Sequence, residues 1–403
     1  MAYFFKRLKR FCGFIAGFVF FISGIVKLLD PVGAGLVMDE YFSFLHLGFL
    51  GFASKVTGTA FAFAEAVLGT AMITGVWRKM TAVAALIFQG FFTILTLILV
   101  IFNPEMDCGC FGEAVHLTHL QTFLKNIVLA LLLVIAYIPM NDLGEPKKIK
   151  YVSFAIVTAS VAAFTFYSWM FIPMKDFTEY KSGAVLHSAA SAVSEEDMFE
   201  AAFVYEKDGI QEYFDLQHLP DSTWTFVRTE TAMKEGAGDT GINLSFYDAG
   251  DEYRDALAAE GKVLVISVYD PDMKAGRWQK IADRVRDSEE AGFRTLVITA
   301  STPEYAEDFL NRIGGDGGNI IRNNLYFSDY KTLITLNRSN GGVTYFSDGE
   351  LICKWAFRSF PDMKELEKIN RENDTEASIE KSTRRDLAFQ GFLLYVTAVM
   401  LLL

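Results

Sequence analysis

The sequence predicts a helical membrane bundle that carries a separate α/β domain. Two observations predict it. Apolar residues make up 51% of the 403 positions, and they gather into runs that approach the roughly 20 residues a helix needs to cross a bilayer. The long segment 176–383 instead holds 39 acidic and 22 basic residues, a net of −17 within a chain whose total is −12. There, short apolar runs alternate with stretches of helical spacing.

Five apolar runs precede residue 175, at 11–29, 57–77, 80–102, 121–140 and 151–172, and a shorter sixth closes the sequence at 387–403. Lipid offers no hydrogen-bond partner to the backbone, so each reads as a helix. The first is not read as a signal peptide. Lys6, Arg7, Lys9 and Arg10 precede it, but its exit "SGIVKLLDPVG" lacks a small-residue cleavage site and more spans follow. Positive residues lie at alternate ends: those four, then Arg78 and Lys79, then Lys147, Lys148 and Lys150. The opposite loops, 30–56 and 103–120, carry only Lys55. The expected location is therefore the cell (inner) membrane, with the amino terminus cytoplasmic and the loop 103–120 and segment 173–385 outside. Residues 37–55 read as an interfacial or re-entrant helix on that outer side.

The expected divisions are a four-helix bundle over 1–145, a fifth span over 146–175, a linker and small β region over 176–242, an α/β domain over 243–375, and a linker with the terminal span over 376–403. Residues 182–200 are small and polar, as in a linker. "AAFVYEKDGIQEYFDL" reads as a hairpin turning at Gly209, and "LSFYDAGDEY" as another. "KVLVISVYD" and "FRTLVITAS" are continuous apolar strands, as in a sheet covered on both faces. Between them 275–291 has helical spacing. Thr302 and Pro303 start a helix over 302–313. "NLYFSD" is a third strand, "YKTLITLNR" a short helix, "VTYFSDGELICKW" a hairpin around Asp348-Gly349, and "FPDMKELEKINRE" a closing helix. Parallel strands, crossover helices and a terminal antiparallel hairpin describe a thioredoxin-like order. The surface this domain presents is acidic, which excludes nucleic acid as a partner.

The candidate chemistry lies in "FNPEMDCGCFGEAVHLTHLQ", residues 102–121. Cys108 and Cys110 are separated by Gly109, which tolerates positive φ. In a bent backbone such a pair falls within the disulfide window of about 4.4–6.8 Å between Cα atoms. So short a ring would be strained and easily reduced, and the outer face is where disulfides persist. Thiol–disulfide exchange is one reading. A static staple is another, although so small a ring constrains little of the unfolded chain. A metal site built from Cys108, Cys110, His116 and His119 is the third, with a cysteine gap shorter than zinc sites usually have. Cys12 reads as packing, and Cys353, at an alternating strand position, as buried and inert.

Glu65 lies inside the second apolar run and Lys27 near the outer end of the first. Antiparallel packing of those helices would bring the two within water-bridged reach, with Gln89 and Asn126 able to join them. Such a cluster is a polar clasp between helices, a proton path, or a pocket for a quinone headgroup.

The first four spans resemble the DoxX/MauE family of small membrane proteins, in "SGIVKLLDP", "AEAVLG" and above all "CGCFG" at 108–112, which points to the MauE branch. The resemblance covers roughly residues 10–140. It implies a four-helix bundle and makes Cys108 and Cys110 the redox pair. MauE is associated with maturation of a disulfide-rich periplasmic dehydrogenase subunit, and the architecture is similar to the DsbB and vitamin K epoxide reductase bundles, which pass electrons from thiols to quinone. The downstream domain is similar to thioredoxins in fold order but departs in motif: "DPDMKAGRW" follows the first central strand without cysteine, and Val343 stands where thioredoxins place a cis-proline.

The expected function is thiol–disulfide exchange or disulfide maturation at the outer face. Its partners would be an exported client bearing cysteines and a quinone-class acceptor, with the degenerate domain docking the client. The alternatives are a non-catalytic anchored assembly factor and a DoxX-like accessory subunit of a respiratory complex. The oligomeric state is left open.

Overall fold

The computed structural model describes residues 2–104, 106, 108–115, 117–140, 146–187, 199–207, 210–214, 225–233, 241–371 and 374–402. Five helices are long and apolar enough to cross a membrane: Phe4–Leu29, Gly48–Thr74, Arg78–Phe102, His119–Tyr137 and Lys148–Met170. They fall within or contain α1 (Ala2–Leu29), α3 (Ser54–Thr74), α4 (Arg78–Phe102), α5 (His119–Tyr137) and α6 (Lys148–Met170). The chain is a multi-pass membrane protein. Met80, Ile87, Ile94 and Ile101 recur every seventh residue along α4 and are all strongly exposed, which is how a lipid-facing stripe reads when no water need be excluded from it.

Glycines set the closeness of the bundle. A Cβ on Gly24 of α1 would lie 2.5 Å from the Ala66 nitrogen of α3, and one on Gly69 of α3 would lie 2.4 Å from the Phe21 nitrogen. Without a hydrophobic drive between helices in lipid, such backbone-to-backbone approach supplies the packing.

One expectation about the membrane part is corrected. Residues 37–55 do not form one helix. Helix α2 (Pro31–Phe44) starts directly after α1, because the Asp30 side chain accepts from the Val32 and Gly33 nitrogens and Pro31 takes a first-turn position. It ends at a reversal through His46, whose φ is +58, and a 3-10 turn (Gly48–Ala53) leads into α3. The expected terminal span corresponds to a shorter apolar stretch, Leu387–Leu402, at the end of α13 (Asp374–Leu402), whose first half is charged. It runs antiparallel to α6: Ser153 Oγ donates to the Val399 carbonyl at 2.7 Å and Lys150 Nζ to that of Met400 at 3.2 Å. Those are last-turn carbonyls that no helical N–H can reach.

The five-stranded sheet has the order β7-β6-β5-β8-β9. Its strands are β5 (Lys262–Val268), β6 (Arg294–Thr299), β7 (Leu325–Phe327), β8 (Gly342–Ser347) and β9 (Glu350–Trp355). β5, β6 and β7 pair in parallel and β8 and β9 antiparallel, with Val265 opposite Leu296 and Thr344. Both faces are covered, as the unbroken apolar runs require. One core sets Trp278, Ile281 and Val285 of α8 (Ala275–Glu290) and Phe309 of α9 (Pro303–Ile313) against Leu264, Ile266 and Tyr345. The other sets Tyr180, Phe246 and Leu333 against Val263, Val265 and Leu296. Thr302 caps α9 through the Tyr305 nitrogen, as its position predicts.

Three further elements differ from the sequence expectation. The short α7 (Ala256–Ala259) and α10 (Gly315–Asn323) are additional; the sequence reading assigned nothing between residue 313 and the third strand, and Gly317 and Gly318 sit buried in α10. Val185 and Leu186, expected in a linker, form bridges to Glu350 and Ile242. The remaining helices are α11 (Tyr330–Leu336) and α12 (Met363–Arg371). A second sheet, order β3-β2-β4, is built from β2 (Phe199–Lys207), β3 (Ile210–Phe214) and β4 (Thr225–Met233). It carries the expected hairpin, whose Gly209 lies outside the described residues.

The mixed-sheet domain rests on the end of the bundle where α1 stops and α2 begins. Asp30 Oδ2 accepts from Arg338 Nε at 2.8 Å, with both side chains buried, and Asp176 pairs with the buried Lys354 at 2.6 Å. Burial lowers the Lys354 ammonium below its ordinary value even with Asp176 beside it.

Candidate functional site

The close α1–α3 contact brings Lys27 Nζ to 2.6 Å from Glu65 Oε2, a direct ion pair rather than a water-bridged one. Lys27 Nζ lies 3.2 Å from Ser23 Oγ, one helical turn back. Ser23 Oγ in turn donates to the Cys110 carbonyl at 2.8 Å. On the other side Tyr41 of α2 donates its hydroxyl to the Cys108 carbonyl at 2.9 Å. The cysteine segment is thus held from two helices through its backbone.

Its shape follows from glycine. Gly109 has φ +57, and a Cβ there would meet Val37 Cγ1 at 2.3 Å; both the backbone region and the space exclude a side chain. A turn closes from the Gly112 nitrogen to the Gly109 carbonyl at 3.1 Å, leading through the short strand β1 (Cys110–Glu113). Cys108 is buried among Tyr41, Leu95 and Leu99, while Cys110 is half-buried. Burial first, then Cys110 and Cys108, raises the Tyr41 phenol far above its ordinary value, so it keeps its proton and stays a donor.

Beneath this segment lies a cavity of about 70 Å³, roomy enough for a few waters. Its polar side is formed by Ser23, Lys27, Glu65, Gln89, Asn126 and Tyr41 with both cysteines, and its apolar side by Phe61, Phe88 and Phe92. The Phe88 and Phe92 rings lie 4.8 Å apart. Gln89 Nε2 donates to the Asn126 carbonyl at 3.1 Å, and Asn126 Nδ2 to Thr96 Oγ1 at 3.1 Å, so these buried amides are satisfied across α4 and α5. Lys125 adds a cation 4.8 Å from the Phe111 ring.

Cys108, Cys110, Lys27, Glu65, Gln89 and Asn126 therefore line one cavity. His119 does not join them: its ring nitrogens lie 3.2 Å from Asn103 Oδ1 and 3.1 Å from the Met106 carbonyl. His116 lies outside the described residues, and no group of three or more potential metal ligands occurs among the described ones. Cys12 is buried with Leu133, Ala136 and Tyr137, and Cys353 packs in the sheet core. Ser23, Tyr41 and Lys125 escaped the sequence reading. Only Ser23 had a local signal, standing four residues before Lys27 on one helical face.

A polar, cysteine-bearing cavity inside a multi-pass helical bundle defines the class of this membrane segment. Residues 6–139 match the model of the family described as methylamine utilisation protein MauE. That range holds α2 and four of the five long spans, together with every residue that lines the cavity. Residues 199–235, which include β2 to β4, match a domain of unknown function. Neither a curated protein nor a solved structure matches the chain.

Proposed function

We propose that this chain is a membrane thiol–disulfide exchange protein and that Cys108 and Cys110 are its redox pair. A client dithiol attacks the Cys108–Cys110 disulfide through a mixed disulfide; the client leaves oxidised and the pair becomes two thiols. Two electrons and two protons then pass to a membrane acceptor of the quinone class as the disulfide re-forms. The observation that carries this reading is the placing of both cysteines on one cavity with Lys27 and Glu65, inside the segment that matches the MauE model. The ion pair offers a proton relay next to the sulfurs, and the aromatic wall offers a face for the acceptor. The distribution of positive residues supports an outward-facing pair.

The sheet domain serves, on this reading, as a degenerate thioredoxin-like module that docks an exported client. Its strand order suits that fold, Val343 is buried at the start of β8, and Cys353, the sole cysteine after residue 110, is buried. The same features favour a second reading, a non-catalytic anchored assembly factor.

Trapping thiols with a maleimide in intact native membranes tests the proposal. A substantial oxidised fraction at 108 and 110, together with accumulation of reduced exported proteins in a Cys108→Ser/Cys110→Ser strain, is expected. A pair that is always reduced, with exported disulfides untouched by the double substitution, leaves the anchored binding protein.

A further inference from the structure

A second cavity, of about 540 Å³, lies between the bundle and the sheet domain. Its floor is the end of α6, from Ser168 to Phe171, where the fifth long span stops. Five cations line it: Lys55, Arg277, Lys280, Arg338 and Arg358. No carboxylate lines it among the described residues, although the segment that supplies four of these cations is strongly acidic.

The charges are only partly compensated: Asp30 acts on Lys55 and Asp270 on Arg277. Arg338 is neutralised by Asp30. The other four form no ion pair among the described residues. Lys55 lies 4.7 Å from the Trp169 ring. Arg358 donates to the Met170 thioether sulfur, a weak acceptor that leaves its charge in place. Arg277 lies 4.3 Å from the Phe357 ring and donates one amino group to the Asn340 carbonyl at 2.6 Å. Its Nε is buried without a hydrogen-bond partner among the described residues. Burial lowers the Arg277 guanidinium below its ordinary value; Tyr269 and Asp270 oppose the shift and Arg358 adds to it. Like charges held together beside a spare buried donor are stabilised by an anion with several acceptor oxygens.

We propose that this cleft binds a phosphate group, with Arg277, Lys280 and Arg358 as its principal contacts. The volume fits a headgroup-sized ligand. Trp169 places the floor at the membrane rim, where indole rings settle. The same chemistry admits the headgroup of an anionic phospholipid or a phosphate ester from solution.

The test uses the full chain purified in neutral detergent, titrated with phosphatidylglycerol, phosphatidylcholine and inorganic phosphate. Phosphatidylglycerol should be held more than about tenfold more tightly than phosphatidylcholine, because the choline ammonium offsets the charge of its phosphate and is repelled by the lining cations. The preference should vanish in Arg277→Gln/Lys280→Gln/Arg358→Gln and persist in Lys364→Gln. Preference that millimolar phosphate does not displace identifies a lipid headgroup. Phosphate that binds alone and is lost in the triple variant identifies a soluble ester. Lys280→Gln/Arg358→Gln alters exposed side chains only, so it gives a smaller loss in a protein whose fold is unchanged. Equal retention of both lipids with no phosphate binding, or a preference that survives the substitutions, overturns the site.

Discussion

In the bundle the buried centre is polar: Lys27, Glu65, Gln89 and Asn126 surround a cavity, each satisfied by a partner on another helix. In the sheet domain the central layer is Trp278, Ile281 and Val285 against Leu264 and Ile266. The membrane part thus keeps a polar cavity among its apolar contacts and exposes further apolar groups, such as Ile87 and Ile94, to lipid. The sheet domain has an apolar core, and its one cysteine lies there. The difference teaches where chemistry is affordable. A bundle held by glycine contacts can keep a wet polar centre, whereas a sheet covered on both faces is held by that apolar centre itself.

The largest effects break the comparison at its two centres. Trp278→Ala is expected to cost about 3–5 kcal/mol, as large core truncations do. Proteolysis should then cut the sheet domain first while maleimide labelling of Cys108 and Cys110 stays as in the parent. Glu65→Ala should cost about 3 kcal/mol, because it leaves the half-buried Lys27 ammonium with no counter-charge and only the Ser23 hydroxyl beside it. Here, unlike in the sheet, a second change rescues: Lys27→Met/Glu65→Leu should recover most of the thermal stability in detergent. Failure to recover would mean that the ion pair holds the cavity open through its geometry and not merely through its charge balance.

Smaller changes sharpen the picture at the cysteine segment. Gly109→Ala forces a side chain into the left-handed region and onto Val37, for about 1–2 kcal/mol of strain, and should raise the alkylation rate at Cys110. Tyr41→Phe removes the hydroxyl bonded to the Cys108 carbonyl, at about 1 kcal/mol. It should raise the alkylation rate at Cys108 more than at Cys110; equal rates would show that the phenol does not hold the loop.

The smallest effect is a pH dependence. Burial lowers the Lys354 pKa below its ordinary value of 10.5. Between that lowered value and 10.5 the unfolded state binds more protons than the folded one, so stability rises with pH across the window; below it both states are charged and the cost of burial is complete. The unfolding temperature of the parent should therefore climb relative to Lys354→Met as pH is raised toward 10.5. A difference that stays flat would show that Asp176 has offset the burial.

The five long spans, the central strands β5 and β6 and the α9 cap were legible because each is written in a local period or in one capping residue. Helix α2 was legible too, in Asp30-Pro31, but aromatic composition downstream drew the boundary elsewhere. Helix α10 was hidden by glycines that disfavour helix locally and are tolerated because neighbours crowd them. The apolar end of the terminal helix was legible in its hydropathy, but not that α6 lies alongside it.

By itself the sequence determined which residues are too apolar for water and that two cysteines share one glycine-bent turn. Only the tertiary structure decided that these cysteines, the Lys27–Glu65 pair, Gln89 and Asn126 meet at one cavity, and that four cations on the acidic side of the chain converge with Lys55 at the membrane rim. The reason is range: periodicity and capping act over a few residues, whereas those meetings depend on how closely Gly24 and Gly69 let two backbones approach and on where Asp30 receives Arg338.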